Sequence, residues 1–71
     1  MRIEYKGCCP GFQKIAHTNY LRTLGLSLKK AKSITDTILM GGDCSIEVSD
    51  NHHQHLQRIV DLGAMAVLTD S

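Results

Sequence analysis

Seventy-one residues with a formal net charge of +1 describe one small domain, near the lower limit for a core that holds without staples. A core of that size contributes only about 3–5 kcal/mol of net stability, which argues against a deep catalytic cleft. The three cysteines, an odd number, argue against a disulfide framework, and no apolar run reaches signal-peptide or membrane-span length. The expectation is a reduced, cytoplasmic protein with no membrane partner.

Met1 to Lys6 alternates, with Met1, Ile3 and Tyr5 on one face and Arg2, Glu4 and Lys6 on the other, the pattern of a half-buried strand. Gly7-Cys8-Cys9-Pro10-Gly11 reads as a loop. Phe12, Ile15, Ala16, Tyr20, Leu21 and Leu24 approximate helical spacing, with Gly25 as the stop. Ser27 suits the N-cap of a second helix whose buried stripe is predicted to be Leu28, Ala31, Ile34, Thr35, Ile38 and Leu39, ended by Gly41-Gly42.

Cys44, Ile46 and Val48 alternate as a second strand. Ser49 or Asp50 is predicted to cap a third helix, with Leu56, Ile59, Val60 and Leu62 facing inward, Gly63 stopping it and Ala64 to Leu68 forming the last strand. The order β-α-α-β-α-β predicts a two-layer α+β domain: a three-stranded sheet covered on one face by three helices.

Charge is divided unevenly along the chain. Residues 1–32 carry Arg2, Lys6, Lys14, Arg22, Lys29, Lys30 and Lys32 against Glu4, whereas residues 33–71 carry Arg58 against Asp36, Asp43, Glu47, Asp50, Asp61 and Asp70. A shared basic face would attract an acidic protein or a nucleic acid.

The segment Gly25-Leu26-Ser27-Leu28-Lys29-Lys30-Ala31-Lys32 and the later Val48-Ser49, Leu56 and Leu62-Gly63-Ala64 carry a family likeness. Over residues 12–70 the chain resembles the C-terminal domain of the bacterial ribosomal stalk protein, a fold shared with the adaptor of the Clp protease. The resemblance implies that the basic helix surface contacts a protein partner, with Lys29 and Lys32 on the positions that dock translation factors. The chain departs from the stalk pattern in its first helix, where Lys14, His17, Thr18 and Leu21 replace most of the aliphatic and basic contacts. It also departs from the adaptors, which place Asn-Asp where Gly7-Cys8-Cys9-Pro10 stands here. A free-standing relative with an altered contact surface is implied, whether a small regulator or a phage-encoded protein that intercepts a host interaction.

Other residues invite a chemical reading. His52 and His55, three apart, share a helix face, but a structural zinc site wants four converging ligands. Cys8 and Cys9 are adjacent, too close to bridge readily, and a redox pair normally uses CxxC. One is expected to point inward and the other to be exposed. Cys44 lies on the apolar face of its strand. Gly41-Gly42-Asp43 follows a helix, so it lacks the positive dipole end of a phosphate site. Basic residues without interleaved aromatics predict weak, salt-sensitive phosphate binding.

The sequence thus predicts a non-enzymatic protein-binding regulator or adaptor, monomeric or homodimeric and without a cofactor. Lys29, Lys30, Lys32, Leu26, Arg22 and Lys14 are the expected contacts to an acidic protein surface. The alternatives are RNA binding in a translation setting, and a thiol- or metal-responsive protein using Cys8, Cys9, His52 and His55.

Overall fold

A computed structural model describes residues 1–70. The chain folds as β1 (Arg2–Cys8), α1 (Lys14–Thr23), α2 (Leu28–Leu39), β2 (Cys44–Glu47), α3 (His52–Asp61) and β3 (Ala64–Thr69). The sheet order is β2-β1-β3 and both pairings are antiparallel. The expected two-layer α+β architecture is therefore what the chain adopts, with β1 as the central strand.

Alternation in β1 sets the inner face. Ile3 stands between Ile46 and Leu68, and Tyr5 between Cys44 and Ala66. Both inner residues are fully buried, and Ile34, Ile38, Leu21 and Ile59 from the helices close over them. Each such aliphatic side chain contributes roughly 1.5–3 kcal/mol by leaving water. The strand runs two residues past its predicted end because the register shifts between Tyr5 and Gly7. This bulge leaves Lys6 as the extra residue and brings Cys8 opposite Ala64, packed against the core.

The helices cover less than the periodicity implied. Ser27 caps α2 as expected, its hydroxyl accepting the Lys30 N–H at 3.2 Å. Ala31, Ile34, Thr35 and Ile38 are buried, but Leu28 and Leu39, placed in the predicted stripe, remain 49% and 42% exposed. The sheet beneath is only three strands wide, too narrow to bury the whole stripe. Val60, expected inward on α3, is likewise exposed, whereas Ile59 and Leu62 are buried. Neither Ser49 nor Asp50 caps α3. The cap is Asn51, in the left-handed conformation that asparagine tolerates and with no side-chain capping bond.

Gly63 holds the two halves of the chain together. Its φ of +103° is open to glycine, and a Cβ there would lie 2.8 Å from Phe12 Cα. That close approach lets the β1–α1 loop dock on the α3–β3 turn, with Cys9 N–H donating to Gly63 O at 2.7 Å and Gln13 N–H to Leu62 O at 2.9 Å. Gly63→Ala is therefore expected to cost about 2 kcal/mol, or roughly 10 °C in Tm. Gly25→Ala, at φ +97° with open space around it, should cost clearly less. Thermal denaturation of the two variants checks the order; equal losses would show that the Phe12 contact does not matter.

Candidate functional site

The outer flanks of α1 and α2 leave an open groove of about 310 Å³ between them. On α1 it is lined by Lys14, Ile15, Thr18 and Asn19, and on α2 by Leu28, Lys32, Thr35 and Asp36. The spacing i, i+4 and i, i+7 puts each set on one helix face. Ile15 is 71% exposed and stands on a ridge between this groove and a shallower depression bounded by Gln13, Ala16 and Asn19. Ile15 and Leu28 form an apolar patch with the cations Lys14 and Lys32 beside it and Asp36 on the same lining.

The floor is polar and rigid. Thr18 Oγ1 lies 3.0 Å from Thr35 Oγ1, and Thr35 in turn meets a hydrogen-bond chain that crosses the core. The Thr35 hydroxyl donates to Ala31 O at 3.0 Å, so it accepts from His17 Nδ1–H at 2.9 Å. His17 Nε2 then accepts the Tyr5 hydroxyl proton at 2.8 Å. This sequence of donors assigns a neutral imidazole with its proton on Nδ1. Burial lowers the His17 pKa to about 4. Burial also pushes the Tyr5 phenol well above its ordinary value, with smaller contributions from Cys44 and Tyr20. The Phe12 and Tyr5 rings flank the imidazole at centroid distances of 5.2 and 5.4 Å, leaving it sealed from the groove.

Of the residues expected to contact a partner, Lys14 and Lys32 line this groove. Lys29 and Lys30 are exposed on α2 but lie outside the lining, and Arg22 is exposed in the last turn of α1. Leu26 is half-buried against the core. Ile15, Thr18, Asn19, Leu28, Thr35 and Asp36 were not among the expected contacts.

The chemistry-bearing residues are scattered. Among the described residues, no three His, Cys, Asp or Glu side chains gather to hold a metal ion. The Tyr20 hydroxyl is hydrogen-bonded to His55 Nδ1 at 2.5 Å, which leaves that imidazole facing α1. Cys8 is half-buried at the end of β1 and Cys9 is exposed. Cys44 is half-buried, its thiol pKa raised by burial and by Asp43. Asp36 lies on the groove and His17 in the interior, where its partners are Tyr5 and Thr35. No helix among the described residues is long and apolar enough to cross a membrane.

No family model, curated protein or solved structure matches the chain.

The His17 chain has a pH signature. Its folded pKa of about 4 lies below the ordinary 6.5, so the unfolded chain binds more protons between those values. The stability it contributes is complete above pH 6.5 and falls as the pH drops toward 4, by up to about 3 kcal/mol. Denaturant unfolding at pH 7, 5.5 and 4.5 should show a steep loss for the native protein and a shallower one for His17→Gln. Equal slopes would overturn the assignment.

Proposed function

We propose that the protein is a non-enzymatic binding module that grips an acidic partner protein through the α1–α2 groove. The observation that carries the reading is the placement of exposed Ile15 and Leu28 beside Lys14 and Lys32 over a fixed polar floor. An apolar centre with charge at its margin is the arrangement of a protein interface: desolvated contacts supply affinity and the cations set orientation and encounter rate. An acidic helix or loop that offers one aliphatic side chain fits it, with Asp36 disfavouring a carboxylate at its own position. The stalk-like motif Gly25–Lys32 supports the same class, since that family uses this helix to contact proteins. A regulator or adaptor role follows from the small size. Lys29, Lys30 and Arg22 would act from outside the groove, steering rather than holding.

A nucleic-acid reading would weight all the lysines alike. The test therefore compares two charge reversals of equal size. Lys14→Glu with Lys32→Glu should lower partner capture from nuclease-treated host lysate by at least about tenfold. Lys29→Glu with Lys30→Glu should reduce it only modestly and mainly at low salt. Equal effects, or loss of the captured material on nuclease treatment, would sink the groove assignment.

A further inference from the structure

A second surface lies away from the groove, at the free edge of β3. The sheet order β2-β1-β3 leaves β3 with one neighbour, so its outer backbone groups meet no other strand among the described residues. Proteins normally guard such an edge with charge, proline or shortness. The other edge follows that rule: β2 is four residues long and carries Glu47, with Asp43 just before it. β3 does not, since Ala64-Met65-Ala66-Val67-Leu68-Thr69 contains no charge and no proline over six residues.

The exposures around this edge are apolar and contiguous. Met65 and Val67, on the outer face of the sheet, are 46% and 44% exposed. Ala66 and Leu68, paired with Tyr5 and Ile3 and so on the helix-covered face, are still only half-buried. The helix layer therefore stops short of this edge. α3 packs on β3 and turns His55 toward Tyr20 of α1. Val60, well over a quarter-turn round the helix from His55, falls on the flank turned away from α1 and is 43% exposed.

We infer that β3 pairs with β3 of a second copy, in antiparallel fashion about a two-fold axis near Ala66, joining two three-stranded sheets into one of six strands. Self-complementarity selects this occupant: β3 is uncharged and apolar along its length, so an antiparallel pair of β3 strands sets apolar residues opposite apolar ones and brings no charge into the contact. The two-fold about Ala66 sets Met65 of each copy opposite Val67 of the other on the outer face. On the inner face it sets Ala64 opposite Leu68. The register keeps both helix layers on one side, so the α3 flanks carrying Val60 approach across the junction. A strand of this length spans about 20 Å, a narrow contact alone, and the two α3 flanks widen it toward the area a stable dimer needs.

Sedimentation equilibrium of the native protein, from micromolar to millimolar, is expected to show a monomer–dimer equilibrium. Val67→Lys should raise the dissociation constant by at least about tenfold, because the two-fold brings one new lysine from each copy into the contact. Val60→Lys, on an exposed helix flank where refolding is not at issue, should weaken it in the same direction. Amide exchange of the native protein adds a test without substitution: the outward-facing β3 amides, those not bonded to β1, should lose protection on dilution. A monomer throughout the range would overturn the proposal, as would a dimer indifferent to both substitutions or β3 amides whose exchange ignores concentration.

Discussion

The hydrogen-bond chain from Tyr5 through His17 to Thr35 is the constraint on which the arrangement of helices depends. Within α1 only His17 and Leu21 are fully buried, with Tyr20 packed beside them and hydrogen-bonded to His55 of α3. A helix held by so short an apolar stripe is free to roll or slide over the layer beneath. The imidazole removes that freedom. Its two nitrogens face partners on β1 and α2 in a fixed donor order, and any other rotation of α1 would bury a polar atom without a partner. The same bond that orients His17 inward turns Lys14, Ile15 and Asn19 outward, so the groove wall is set from the interior.

The second constraint is scarcity of cover. A chain of this length has too few elements to hide every large apolar side chain, so some exposure is the ordinary condition of its surface. Exposure alone therefore identifies nothing; Met40, the C-cap of α2, is 86% exposed. Ile15 and Leu28 differ because two helices place them together beside cations over an ordered floor. Met65 and Val67 differ because they lie on a strand with one unpaired edge. In each case a second feature of the fold, rather than hydrophobicity, gives the patch its meaning.

Alternation and capping residues made the order of elements legible in the sequence, and α2 begins on its Ser27 cap as read. The extension of β1 was not legible because a bulge adds a residue that breaks the period of two, and Gly7 alone looks like a loop signal. The outward turn of Leu28, Leu39 and Val60 was hidden for a different reason. Periodicity tells which residues share a helix face, but not how wide the layer beneath that face will be. The groove suffered most. Lys29, Lys30 and Lys32 are conspicuous as neighbours in the chain, yet successive helical residues point about 100° apart and diverge around α2. Lys14 and Lys32 share a site only because α1 packs on α2. One signal was available: Ile15 lies across the helical wheel from His17 and Leu21, so it could not face the core with them.

The groove and the β3 edge occupy different sides of the molecule. On α1, Tyr20 points toward α3, while Ile15 and Asn19 project from the other side of the helix into the groove. The β3 edge lies beyond α3 on its far flank. Pairing two copies through β3 would therefore leave both grooves open, one at each end of a continuous sheet. A ligand with two acidic segments, or two ligands in one assembly, would then bind the second groove at the effective concentration set by the first. For a small groove with few anchoring side chains, that gain compensates for weak single contacts. A domain this small would then gain affinity without enlarging its contact surface, because the added affinity would come from symmetry and not from further residues.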